Sequence, residues 1–380
     1  MNTNHVICRN RVEVEGKDVG KLESFHLIAS SRNLGNTAVL TLPLYALSSD
    51  KTFPSRRFRQ DLQVIKVCAE IKIYLGYDSW NAENLTLESF PEVLAFSGWI
   101  EHIAEGFPAR IYLQDNSFIL RFGAIEKAWD ETATLQKIME DCIPIANAAF
   151  KEERRRLGFT RVVSLLTYSH DGSNVQATTT AANFSNWGGH SPFDTMQKLM
   201  NENVLYGGVG INFNVYVGAG VTDSTRPILA LSTQTNVIER DMVQVDGRFV
   251  DFDVKVFGIL KNGRQYTATG GVANSQSAAQ NSAFEKAYGG EVHRVYSKLG
   301  TVAELKAFAD QMLLMLRGQR NQGSIKMLLY PKVEIMDGIT FTDTIFEGVS
   351  GNYYVLEYEL DASEKGYFQT LKVTDKVFLL

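Results

Sequence analysis

The side chains able to do chemistry are few and far apart. Six histidines, His5, His26, His102, His170, His190 and His293, form no His-x-x-x-His or His-Glu-x-x-His pair, so the helix-face spacing of local zinc sites is missing. Asp251 and Asp253 stand two apart in a strand-like stretch and share a face, a spacing suited to cation binding or acid–base work. With Phe252, Val254 and Val256 opposite them, the same spacing also describes a solvated side. Tyr206-Gly207-Gly208-Val209-Gly210 runs from helix to strand, the reverse of the strand–loop–helix order of a phosphate cradle. It reads as a tight turn before strand Ile211–Val217, with Gly218-Ala219-Gly220 turning at the far end. His102 alternates within a strand and reads as a hydrogen-bonded wall residue. No Gly-x-Ser-x-Gly elbow is present. Cys8, Cys68 and Cys142 are odd in number and without a Cys-x-x-Cys pair, so they read as free, buried or half-buried thiols of a reducing compartment. No catalytic, cofactor-binding or metal-ligating residue is nominated. The chain reads as a non-enzyme without a cofactor.

The elements around these residues are mostly strands. At 380 residues, 44% hydrophobic and 21% charged, the chain has the size and composition of two or three folded domains. Its longest apolar stretches, such as Met312–Leu316, fall far short of the roughly 18–20 residues that span a bilayer. Met1-Asn2-Thr3-Asn4-His5 shows no secretory signal. A net charge of −5 argues against tight nucleic-acid binding. The basic knots Arg56-Arg57-Phe58-Arg59 and Arg154-Arg155-Arg156 read as solvated charge, the second closing a helix before Gly158.

Residues 1–125 contain strand candidates at Val12–Glu15, Leu22–Ala29, Asn36–Pro43, Leu62–Leu75, Val93–Ala104 and Ala109–Leu113, with a tight hairpin at Glu15-Gly16-Lys17 and a loop over Leu44–Asp61. Antiparallel strands without intervening helices predict a barrel or sandwich. The centre, 126–225, is mixed α/β. One helix covers Asp130–Cys142, Pro144 opens a second running to Leu157, and Arg161–Tyr168 is strand-like. A loop or hairpin over Ser169–Gly189 leads to a third helix that starts at Ser191-Pro192-Phe193-Asp194. A second β-rich block uses 226–266, with strands Pro227–Ser232 and Arg248–Leu260 and a turn at Lys261–Arg264, and resumes over 324–380. Between them, 267–323 is an insertion: a mobile, small-residue stretch Thr267–Gly290, then a helix Thr301–Arg317 opened by a capping box. The closing strands are Ser324–Pro331, Lys332–Ile335, Ile339–Thr344, Tyr353–Leu360 and Phe368–Val373. Gly98-Trp99-Ile100 followed by Ala109–Leu113 echoes Gly351-Asn352-Tyr353 followed by Phe368–Lys372.

This order resembles the baseplate hub proteins of contractile-tailed phages, the late control D family, and the hub part of type VI secretion spike proteins. The residues that carry the resemblance are Leu40–Pro43, Phe96–Ile103, Asp115-Asn116-Ser117 with Leu120, Thr134-Leu135, Phe193–Leu199, Lys332–Asp337, Gly351–Glu357 and Gly366–Val373. The resemblance implies a β-rich α+β fold, phage tail hub-like, in which two related antiparallel β-barrels are joined by smaller α/β domains. The first barrel is then 1–125, and the second, discontinuous, is 226–266 plus 324–380.

It further implies a homotrimer that joins a six-fold tail tube to a three-fold central spike around the channel. Three chains with two similar barrels each offer six near-equivalent modules, and closed rings need such matched symmetry. The implied partners are a second and third copy, a tail tube protein and a separate spike protein, with no membrane anchor and no sequence-specific nucleic-acid binding. The implied location is the bacterial cytoplasm for synthesis and the virion tail baseplate, or a related injection particle, for assembly. A second hypothesis, motivated by Trp80, Trp99 and Trp187, is a carbohydrate- or ligand-binding module of a tail or cell surface. A third is a hydrolase with dispersed catalytic residues.

Overall fold

Buried residues recur at every second position along the first strands: Val12 and Val14, Phe25, Leu27 and Ala29, Ala38, Leu40 and Leu42, Ile71, Ile73 and Leu75, Ile111 and Leu113. Period two puts all of each set on one face, and that face builds the core. The computed structural model describes residues 5–43, 45–47, 56–58, 64–81, 86–104, 109–129, 133–168, 185–203, 206–218, 229–244, 254–259, 265–270, 293–297, 302, 306, 309–310, 321–330 and 333–375. Its dominant element is a thirteen-stranded, almost wholly antiparallel sheet.

The path through that sheet runs Val237–Gln244, Asn321–Leu328, Gly366–Thr374, Gly351–Ser363, Ser24–Ser30, Thr37–Leu42, Ala109–Asp115, Thr86–Ala104, Glu70–Asn81, His5–Val14, Lys17–Gly20. Gly338–Thr342 joins it beside Gly351–Ser363, and Leu229–Ser232 pairs in parallel with Gly338–Thr342. The fold is β-rich with few helices. Its strands wrap two separate cores. One holds the first-half residues named above, except Ala29, together with Leu329, Leu360, Ala362 and Tyr367; the other holds Ile325, Met327, Ile339, Phe341, Tyr353, Val355 and Leu371. Among the described residues no strand pair closes either half into a ring.

Gly351–Ser363 carries the seam between the halves. Its first residues pair with Gly338–Thr342, and from Glu357 onward the strand pairs with Ser24–Ser30. A register shift between Val355 and Glu357 marks the handover, as bulges do where a sheet must bend. At the hairpin after His5–Val14, Glu15 (φ 52) and Gly16 (φ 74) are both left-handed, the type I′ geometry that matches strand twist. In Gly98 a side chain would meet the Gln114 carbonyl at 2.3 Å, so Thr86–Ala104 closes on Ala109–Asp115 only because residue 98 has none. The echoed hairpins both form, and their aromatics Trp99 and Tyr353 are fully buried.

A third core joins the first half to a helical unit. Asp115 caps the 3-10 turn Asn116–Arg121, and α1 (Leu135–Arg156) and α2 (Pro192–Asn203) follow. Trp99 points away from the strand core into this one, edge-on to Phe150 at 4.7 Å. Thr134 caps α1 by accepting from the Lys137 N–H at 3.2 Å. At α2, the Ser191 hydroxyl accepts from the Asp194 N–H at 3.1 Å and donates to its carboxylate at 2.7 Å.

Several expectations change. Pro144 does not open a second helix; it lies inside α1. The hydrogen bond a mid-helix proline forfeits is outweighed by burial of Ile138, Met139, Cys142, Ile143, Ala146 and Phe150 on one continuous face. Tyr206–Val209 is a strand paired with Asn214–Gly218, and the turn lies at 210–213. Of the loop expected over Leu44–Asp61, Tyr45–Leu47 and Arg56–Phe58 form a small hairpin. Lys66 to Ala69 turns, so the strand expected from Leu62 begins at Glu70. Val333–Met336 is a turn, not a strand: the Asp337 carboxylate accepts from the Glu334 N–H at 2.7 Å. Of Arg161–Tyr168, only Thr167–Tyr168 pairs.

Val254–Ile259, Gln265–Gly270 and His293–Ser297 make a three-stranded sheet of their own. Within the expected helix Thr301–Arg317, Val302, Lys306, Ala309 and Asp310 are helical, and the remainder lies outside the described residues. Residues 169–184, 219–220, 261–264 and 271–290 also lie outside them.

Candidate functional site

Three polar constellations hold the parts of the molecule together. The first is at the end of α1. Arg154, expected in solvent, is only 3% exposed. Its guanidinium donates to both Glu15 oxygens, at 2.9 and 3.0 Å, and to the Cys68 carbonyl at 2.7 Å. Glu15 also accepts from the Glu70 N–H at 2.7 Å, and buried Glu70 in turn accepts from Arg161 at 2.7 Å. The guanidinium lies 4.4 Å from the Phe159 ring centre and 5.3 Å from that of Trp99. Arg155 and Arg156 keep the expected role, exposed and paired with Glu152 and Glu153 one turn back. One basic knot therefore splits into one anchor and two solvated charges.

The second constellation is Asp115, buried where the first half meets the helical unit. It accepts from the Ser117 N–H and the Asn36 N–H, each at 2.9 Å, and from the Ser117 hydroxyl. Burial raises its carboxyl to about 6, against the pull of the Ser117 and Asn36 hydrogen bonds. A cavity of about 70 Å³ adjoins it, bounded by Asn36, Ser97, Gly210 and Ile335. A buried water needs roughly 10–15 Å³, so this space has room for a few waters.

The third lies at the far end of the second half. Asp343, buried, pairs with Arg240 and accepts from the Ile345 and Phe346 N–H groups at 2.8 and 3.0 Å. Burial would raise this carboxyl, but the Phe346 and Ile345 N–H groups and Arg240 outweigh it and hold it low. The turn so braced leaves Ile345 73% and Phe346 61% exposed. The Arg240 guanidinium lies 5.1 Å from the Phe346 ring centre.

At the seam, His26 stands between two acids. Its Nδ1 is 2.7 Å from Asp361 and its Nε2 is 3.6 Å from Glu359. Residues so distant in sequence give no local motif, and only the register of the two strands brings them together. His102 is exposed and packs at 5.7 Å against Tyr112; a strand bulge at Ile100–His102 turns it out of the wall position expected for it. His190 is exposed beside Ile125. His170, Asp251 and Asp253 lie outside the described residues, as do the side chains of His5, His293, Trp80 and Trp187. Trp99 is sealed in a core, away from solvent. All three cysteines are free; burial pushes Cys68 to about 11 and Cys142 to about 12, away from reactive thiolates. No described helix is long and apolar enough to cross a membrane.

No family model and no curated protein matches this sequence. Solved structures do match in fold. A tail protein of Neisseria meningitidis MC58 superposes with a TM-score of 0.59 at 10% identity, over 97% of this chain and 97% of that one. The 43 kDa tail protein of prophage MuSo2 from Shewanella oneidensis gives 0.58 at 11% identity, over 96% and 97%. A chain of the Francisella PdpA–VgrG complex gives 0.53 at 10% identity, over 100% of this chain and 59% of its own length. The chain shares the fold of phage tail proteins.

Proposed function

We propose that this protein is the structural baseplate hub of a contractile phage tail or related injection device. In this reading it is a trimeric adaptor that binds the tail tube on one side and a central spike on the other. The observation that supports it most is the likeness to tail proteins over 97% of both chains, because it matches the whole plan and not one common motif. Two strand-built halves with separate cores in one chain give the six modules that a three-copy ring would present to a six-fold tube. The proposed division is a first β unit at 1–125, an α/β unit at 126–225, a second β unit from 226–266 with 324–380, and an insertion at 267–323. The role is mechanical, without catalysis or cofactor, and is exercised in the assembled particle.

The test is the mass of the purified full chain by light scattering, with co-purification against cognate tube and spike proteins. A trimer that captures both is expected. Monomer alone at micromolar concentration, with neither partner retained, would sink the proposal.

A further inference from the structure

We propose that His26, Glu359 and Asp361 form a zinc-class divalent cation site that staples the two strand-built halves across their seam. The inference is independent of the tail reading and rests on strand register. His26 lies directly opposite Asp361 on the neighbouring strand, while Glu359 stands two residues before Asp361 on the same face, opposite Ile28. Three possible ligand atoms therefore fall within 4.8 Å of one another on a backbone fixed by a regular ladder.

The two contacts of the imidazole differ in kind. Nδ1 to Asp361 at 2.7 Å is a hydrogen bond. If Nδ1 carries the proton, the Nε2 lone pair faces Glu359. Metal-binding histidines are commonly held in this way, by a carboxylate on the other nitrogen. Nε2 to Glu359 at 3.6 Å is too long for a hydrogen bond. It is close to the separation of two ligands on a tetrahedral ion, about 3.4 Å for bonds of about 2.0–2.1 Å.

Charge favours a cation as well. Lys372 is engaged with Glu357 at 2.5 Å, and among the described residues neither Glu359 nor Asp361 has a lysine or arginine partner. One imidazole and one carboxylate suit zinc better than magnesium or calcium, which prefer all-oxygen shells. His26 Nε2 and Glu359 would be the ligands, Asp361 the positioning residue, and water would complete the shell. A staple between residues this far apart in sequence would restrict the unfolded chain and stabilise the fold.

The test titrates zinc into metal-free full-length protein while following thermal unfolding, with isothermal calorimetry as a direct count. One zinc per chain and a saturable rise in Tm are expected, with no rise from magnesium. His26→Ala and Glu359→Gln should each abolish that rise, and Asp361→Asn should weaken the affinity by roughly 10–100-fold. Calorimetry on each variant separates lost binding from lost folding. An unchanged wild-type Tm, or an equal rise in His26→Ala, would overturn the proposal and leave His26 as an ordinary side chain between two acids.

Discussion

The two strand-built halves use the same device, an arginine–carboxylate pair with one member buried, in opposite directions. In the first half, Arg154 and Glu15 face inward and bind α1 to a hairpin turn. In the second, Arg240 and Asp343 brace a turn that thrusts Ile345 and Phe346 into solvent. The first pair unites two parts of one chain; the second holds an apolar tip in a fixed shape without covering it. A buried pair adds little net stability over a well-packed apolar substitute, but leaving one partner alone is costly. The value of each pair therefore lies in the geometry it enforces.

Removing an anchor is the sharpest way to break the comparison. Arg154→Met strands the Glu15 carboxylate and should cost about 3–5 kcal/mol in urea unfolding, with part of the loss recovered by Glu15→Gln in the same chain. A smaller effect, confined to the first half, comes from pH. Asp115 is raised in the folded state, so its favourable contribution is full below pH 4 and is lost as pH rises through about 6. That is about 3 kcal/mol for roughly two pK units. The unfolding midpoint of the wild type should gain relative to Asp115→Asn on acidification from pH 7 to 4, and parallel pH profiles would refute this.

In the second half, Asp343→Ala removes the acceptor of two N–H groups and should cost about 2 kcal/mol, with faster hydrogen exchange over residues 343–350. The smallest stability effect should come from Ile345→Ser with Phe346→Ser, within about 0.5 kcal/mol in thermal unfolding. If those two residues form a contact between copies, the pair should nonetheless lower the trimer fraction in light scattering.

Much of the strand content was legible because burial alternates at period two, as along Phe25, Leu27 and Ala29. The Glu15-Gly16 hairpin and the Ser191–Asp194 helix start were legible because their chemistry is local. Arg154 was not. Its partner Glu15 lies 139 residues away, and nothing in Arg154-Arg155-Arg156 marks which member turns inward. Pro144 misled because a local rule was overridden by a continuous apolar face. Tyr206–Val209 misled because glycines signal turns, whereas here they lie opposite Tyr216 and Val217 in a ladder. The candidate cation site was invisible for the reason that makes it of interest: it exists only when distant strands pair.

That seam also governs how the protein is made. Ser24–Ser30 leaves the ribosome ahead of its neighbour Gly351–Ser363, which follows some 335 residues later, tens of seconds at roughly 5–20 residues per second. Over that interval the nascent chain carries a strand with one bare flank, open to capture by other chains. Yield in the cell should therefore depend on chaperone cover until Gly351–Ser363 emerges.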